Sequence, residues 1–217
     1  LEDNNINVEL TTSLRVGMHK YSFNPDDEAN VILDLQHRDM LIKHKIKIID
    51  SVTIQGHRYS NEWAKEQRIH FIIKFSIPFN DFIFNKEKNM LGLKFGKVSE
   101  DLLTKVALSA VDDLGAEENL EEIKGWSFYD TKKNTQDTWN QELNKIEIKT
   151  PSKKKKEIFY TALYHSFLNP NIYNDNNGNY NGMDLKKHNT KDNHYTIFSL
   201  WDTFRATHPL FTIVNIQ

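Results

Sequence analysis

Lys45–Ile54 reads KIKIIDSVTI and Arg68–Phe75 reads RIHFIIKF. Both stretches are rich in β-branched and aromatic residues, and both alternate polar with apolar positions over part of their length. A period of two sends successive side chains to opposite faces of a strand, so these stretches predict strands with one face turned inward. The same reading extends outward to Asn7–Thr12, Gly17–Phe23, Ala29–Leu35, Met90–Phe95 and Leu102–Val111. Turn signals separate them: Asn24-Pro25-Asp26-Asp27, Gly56, Ile77-Pro78, Gly96 and Gly115. Strand after strand with no helical spacer predicts an antiparallel, sandwich-like sheet system.

The pattern changes near Asp112. Gly115–Ile123 (GAEENLEEI) reads as a short helix, and Thr131–Leu143 as another, with Asp130 as N-cap. Ile146-Glu147-Ile148 suggests a brief strand. Pro151-Ser152 opens a stronger helix from about Lys153 to Leu168. Its Ile158, Phe159, Ala162, Leu163, Ser166 and Phe167 recur at helical spacing and predict a buried stripe. Pro170 ends it, and Asn171–Asn193 is a long loop rich in Asn and Gly, the kind of loop that more often carries function than not. Ser199 is a suitable N-cap for a helix over Leu200–Arg205, and Pro209 suits the first turn of a further one. The fold class expected is therefore α+β and multidomain: an antiparallel β-sandwich over residues 1–112, linker helices over 113–150, and further helices over 151–217.

Composition bounds the function. The 217 residues are 38% hydrophobic and 12% aromatic, with 13 Phe, 8 Tyr and 4 Trp, enough to fill a core. Lys+Arg 28 against Asp+Glu 30 leaves a net charge of -2, which disfavours a nucleic-acid binder, since no surplus cations exist to neutralise phosphates. There is no cysteine, which removes disulfides, Cys-ligated zinc and thiol nucleophiles together. No apolar run is long enough to span a bilayer, and Leu1-Glu2-Asp3-Asn4-Asn5 lacks the basic and apolar regions of a signal peptide. The opening lacks an initiator Met and the apolar-periodic Leu210–Gln217 lacks a cap, so both ends read as interior to something longer.

Local motifs exclude more than they assign. Lys153–Lys156 has no interleaved aromatics and reads as a solvated helix turn. Asn177–His188 has the length of a calcium-binding hand but begins with Asn and ends with His where Asp and Glu are required, so its Asn and Gly residues read as turn formers. The 9 His show no HxxxH or HExxH spacing, and each reads as a packing or surface residue with no metal ligand assigned. No GxGxxG, Walker or GxSxG motif occurs. Trp201-Asp202-Thr203-Phe204-Arg205 is the most informative stretch. An indole face stacks on the C–H face of a pyranose, a carboxylate accepts from adjacent hydroxyls, and a guanidinium donates to them. The plain alternative is a buried Trp beside an i,i+3 surface ion pair.

That stretch sits in a longer resemblance. Arg15–Phe23, Ala29–Leu35, Gly56-His57-Arg58, Trp63–Gln67, Phe75–Phe79, Ala116–Leu120, Trp139–Ile146, Phe159–His165, Phe198–Ala206 and His208-Pro209-Leu210 together resemble the glycoside hydrolase family 92 α-mannosidases, in order, along nearly the whole chain. The resemblance implies an N-terminal β-sandwich, linker helices and the first helices of an (α/α)6 barrel. It implies removal of terminal α-linked mannose from glycans, including N-linked ones, by a calcium-assisted inverting mechanism, and an exported, periplasmic or cell-surface location. Within this chain it implies that Trp201 and Asp202 contact mannose, and that Arg205 orients Asp202 or touches the sugar. Tyr180, Gly182 and Asp184 match a family loop without an assigned role. The acid, the base and most Ca2+ ligands are expected beyond Gln217, so none of the catalytic residues is expected here and the chain alone is expected to be inactive. The partners expected are a mannose-containing glycan and the remainder of the same polypeptide, with no nucleic acid and no membrane span. A non-catalytic carbohydrate-binding sandwich is the alternative from a different functional class.

Overall fold

The computed structural model describes residues 1–87, 89–197 and 199–215. The strands form first in the chain: β1 (Asn7–Thr12), β2 (Val16–Ser22), β3 (Glu28–Asp34), β4 (Met40–Asp50), β5 (Thr53–Asn61), β6 (Gln67–Phe75), β7 (Asp81–Asn85), β8 (Met90–Lys97) and β9 (Leu102–Ser109). A six-stranded sheet runs in the order β1-β2-β9-β6-β5-β4, and a three-stranded sheet in the order β3-β8-β7. Neighbouring strands in both are antiparallel. The antiparallel sandwich expected from the alternation is therefore present, followed by helices.

Period two explains where the core sits. Phe71, Ile73 and Phe75 of β6 turn to the smaller sheet and meet Ile54, Leu91, Leu93, Phe95 and Leu102. Ile72, between them, turns the other way and packs with Val16, Met18, Ala107, Ala116, Ile123 and Phe128. The run Phe71-Ile72-Ile73 is apolar without a break because β6 is covered on both faces. The second cover is helical: α1 (Asp113–Leu120) and the start of α2 (Phe128–Leu143) lie on the outer face of the larger sheet.

Several expected boundaries move. Lys45–Ile54 is two strands, because Asp50 Oδ1 accepts from Val52 N at 2.8 Å and reverses the chain between β4 and β5. Gly56 is not a turn but the interior of β5. A Cβ there would stand 2.1 Å from the Lys45 carbonyl oxygen and 2.7 Å from the Phe71 ring. The edge strand β7 carries no alternation signal, since all five of its residues are exposed. Ile146–Ile148 joins no strand. α2 starts earlier than expected: Ser127 caps it, its side chain accepting from Asp130 N at 3.2 Å, so Asp130 lies in the first turn. In α3 (Lys153–Ser166) Ser152 is the cap, but only part of the expected stripe is buried: Leu163 is 5% exposed and Ile158 60%. Two short strands, β10 (Asn179–Asn181) and β11 (Lys187–Asn189), form a hairpin inside the long polar loop. They are followed by α4 (Leu200–Thr203) and by α5 (Thr207–Val214), which begins ahead of Pro209.

One buried carboxylate fastens this loop to the sandwich. Asp175 is 2% exposed; its Oδ2 accepts from Ser109 Oγ at 2.7 Å and its Oδ1 from Asn119 Nδ2 at 2.8 Å. Asn119 in turn accepts from Asn176 N at 2.8 Å and donates to Leu108 O at 2.8 Å. Arg15 adds a second tie, its Nε donating to Asn174 O at 2.6 Å while its Nη1 pairs with Glu122 at 2.6 Å. Residue 115 must be glycine, because a Cβ would come within 2.1 Å of Asp175 Oδ2.

These contacts set three expectations for stability. Gly56→Ala forces the β4 backbone or the Phe71 ring aside and should cost about 1–3 kcal/mol in urea unfolding. Asp175→Ala strands the Ser109 hydroxyl and the Asn119 amide and should cost about 2–4 kcal/mol. Burial raises the Asp175 pKa, and the Ser109 and Asn119 hydrogen bonds only partly oppose it. A raised carboxyl stabilises the fold most fully below its unfolded value of about 3.9 and loses that contribution as pH rises through the folded value. Asp175→Asn carries no charge at any pH, so its melting temperature should gain on the wild type as pH rises from about 4 to 8. A gap that stays constant or shrinks over that range contradicts the assignment.

Candidate functional site

The sugar-contacting residues expected from sequence lie on α4 and the turn after it. α4 has 4 residues and Ser199 at its N-cap makes no side-chain capping bond. The chain then turns through 204–206 before α5. Trp201 is 80% exposed, and Asp202 and Arg205 are exposed as well. The Arg205 guanidinium stands 5.3 Å from the Phe204 ring centroid, and no ion pair joins it to Asp202 among the described residues. An i,i+3 pair needs continuous helix, and the helix stops at Thr203. The alternative of a buried Trp beside a surface ion pair is therefore not what forms. An exposed indole, a carboxylate and a guanidinium share one short segment. Phe198, at the head of the matching stretch, lies outside the described residues.

The nearby loop is a packed hairpin. Tyr180 stacks on His194 at 3.8 Å between centroids and on His188 at 5.5 Å. His188 reaches Asp184 at 3.0 Å, and that hydrogen bond holds the Asp184 carboxyl below its usual range. Gly178 has φ +83°, and a Cβ on it would meet the Thr190 carbonyl at 2.1 Å. The spacing from Asn177 to His188 thus encodes a β-hairpin in which His188 pairs with Tyr180 across the strands.

Sequence reasoning missed two groups. Asp175 carried no local signal, since its partners come from β9 and α1. His57 and His70 lie far apart in sequence, yet they are register partners on β5 and β6. Directly opposed residues in an antiparallel pair have Cβ atoms ~4.5–5.5 Å apart, so strand register, not motif spacing, brings the two imidazoles together. Asp113 at the start of α1 completes the group, and the three offer ligand atoms within 4.8 Å of one another. This is the one such cluster among the described residues. Two ring nitrogens and a carboxylate do not make the six to eight oxygens that Ca2+ takes. This cluster therefore does not fit a calcium cage.

One cleft that these elements form lies elsewhere. It has a volume of about 820 Å³ and lies between α2 and the segment Pro170–Ile172, and none of Trp201, Asp202 and Arg205 lines it. No helix is long and apolar enough to cross a membrane among the described residues.

Comparison with known proteins matches this geometry to one family. Residues 1–139 match the model of the glycosyl hydrolase family 92 N-terminal domain, and residues 115–217 that of the family 92 catalytic domain. The chain is similar to the structure of a family GH92 α-mannosidase from Bacteroides thetaiotaomicron, with 29% identity and a TM-score of 0.87 over 97% of this chain and 32% of that one. The same enzyme in complex with mannoimidazole gives 29% identity and a TM-score of 0.87, over 97% of this chain and 31% of that one. A family GH92 inverting mannosidase from Bacteroides thetaiotaomicron VPI-5482, at 23% identity and a TM-score of 0.86, covers 97% of this chain and 31% of its own, and shares the fold. The chain spans about a third of the length of these relatives. A search of curated proteins gives no match. The N-terminal match covers more than half of the residues, and with its sandwich, its helical layer and its Trp-Asp segment the chain belongs to glycoside hydrolase family 92.

Proposed function

We propose that the protein built on this chain is an exported, periplasmic or cell-surface exo-α-mannosidase that removes terminal α-linked mannose from glycans, N-linked ones among them. The observation that carries the reading is the fold match over 97% of the chain, at 29% identity, to an enzyme described as an α-mannosidase.

In this reading Trp201 offers its indole face to the C–H face of the terminal mannose. Asp202 accepts hydrogen bonds from two neighbouring hydroxyls, and Arg205 sets the orientation of that carboxylate or donates to the sugar itself. All three act on binding and orientation. Inversion requires a general acid and a general base ~6.5–9.5 Å apart, with room for a water. In this reading those groups, and most ligands of an oxygen-rich Ca2+ site that would hold the O2 and O3 region of the mannose and help distort its ring, lie outside residues 1–217. The near-neutral charge of -2 suits a neutral, hydroxyl-rich substrate, which needs no charged landing surface.

The test is an aryl α-mannoside assay on the full-length protein, with the product anomer followed by NMR. Release of β-mannose supports the reading, and no release overturns it. Removing Ca2+ with a chelator should abolish turnover, and added Ca2+ should restore it. Asp202→Ala loses two hydrogen bonds to substrate hydroxyls, so kcat/KM should fall on the order of 100-fold. Residues 1–217 alone should give no turnover. Mannose binding by the full-length protein without any turnover would favour the carbohydrate-binding alternative.

A further inference from the structure

A second group of chemistry-bearing side chains lies between the larger sheet and α1, on elements that carry none of the sugar-contacting residues. His57 and His70 face each other across β5 and β6, with ring centroids 5.4 Å apart. His70 Nδ1 lies 2.5 Å from Asp113 Oδ1, and His70 Nε2 lies 3.1 Å from the Tyr59 hydroxyl. His70 itself is only 7% exposed. The telling atom is His57 Nε2: it is shut off from solvent and has no hydrogen-bond partner among the described residues. Burying a polar atom unpaired costs about 1–3 kcal/mol, and such an atom calls for an explanation.

We propose that His57, His70 and Asp113 form a binding site for a transition-metal dication of the Zn2+ type, bridging the β-sandwich and helix α1. Two imidazoles and one carboxylate are the donor set that Zn2+, Co2+ and Ni2+ accept, and they exclude Ca2+ and Mg2+, which require oxygen. The ion takes each donor at ~2.0–2.2 Å, so ligand atoms around it stand roughly 3.3–3.5 Å apart in a tetrahedron. The separations in the group, 2.5 Å for His70–Asp113 and no more than 4.8 Å across all three, bracket that value. A shift of about 1 Å in the side chains closes the site around an ion. Tyr59 occupies the outer position: its hydroxyl bonds His70, and its ring lies 4.9 Å from that of His57, fixing both imidazoles. Lys43 and Lys45 oppose a cation here, and the Asp113 carboxylate answers them. The function of the ion is structural. It would pin the first turn of α1, and with it Gly115 and Asn119, onto the sheet.

The inference is independent of the glycosidase reading and is tested on the full-length protein in excess Ca2+, so that oxygen-rich sites are already filled. Zn2+ titrated by calorimetry should show one saturable site and raise the melting temperature. Co2+ in its place should give the visible ligand-field absorption of a four-coordinate ion. His57→Gln is the decisive variant, because its Nε2 has no hydrogen bond to lose and the fold survives the change. It should weaken Zn2+ binding at least tenfold and abolish the Co2+ spectrum. Asp113→Asn should do the same, and Tyr59→Phe should weaken binding about 10-fold through the outer contact. Absence of saturable Zn2+ binding overturns the proposal. So does binding that is unchanged in His57→Gln, which would place the ion on other histidines.

Discussion

A carboxylate with almost no access to water holds the two halves of this chain in register. Asp175 belongs to the polar loop, Ser109 to the last strand of the sandwich and Asn119 to the first helix, and all three are buried. The contact constrains everything around it. Residue 115 has no room for a side chain, and Asn119 must be an amide, because it donates to Leu108 O and to Asp175 and accepts from Asn176 N. A buried charge without a cation directly on it is costly, and here the cost is met by hydrogen bonds and a raised pKa instead of a salt bridge.

The larger sheet has two unlike faces. Its inner face is apolar and closes against the smaller sheet through Phe71, Phe75, Phe95 and their neighbours. Its outer face mixes apolar contacts with buried polar ones. Gln55 bonds Glu117 at 2.6 Å, Lys105 donates to Ile123 O at 2.7 Å, and His70 meets Asp113. Apolar contact alone would let α1 slide on the sheet, because burial is indifferent to small shifts. Directional polar bonds fix one docking position, and they gain strength because water is excluded around them.

Alternation made most of the sandwich legible in the sequence: β1, β2, β3, β6, β8 and β9 lie close to where period two put them. The failures have local causes. The turn at Asp50 was hidden because its flanks, Ile48-Ile49 and Val52, are apolar. Gly56 looked like punctuation although its role is close approach between strands, which only the fold reveals. β7 was missed because an exposed edge strand has no inward face to alternate with. The Trp201-Asp202 segment could be picked out as a candidate because its residues are contiguous. Asp175 and the His57–His70 pair could not, since each is assembled by tertiary register from parts that say nothing singly.

The same register explains how the segment on the four-residue helix α4 can be held still. From Asp175 the chain is tied back to itself step by step. His194 N donates to Asn174 Oδ1 at 2.7 Å, and Tyr173 N donates to His194 O at 2.7 Å. Ile172 bridges Tyr195, and Thr196 N donates to Asn171 O at 2.8 Å. Tyr180 stacked on His194 closes the ladder from the side. Beyond Thr196 the chain leads on to α4 and Trp201. A single turn of helix has little intrinsic stability, so it cannot orient an exposed indole by itself. The orientation must be inherited from the ladder, and the ladder from the buried carboxylate against the sandwich. The β-sandwich thereby serves as the frame that fixes where Trp201 and Asp202 stand.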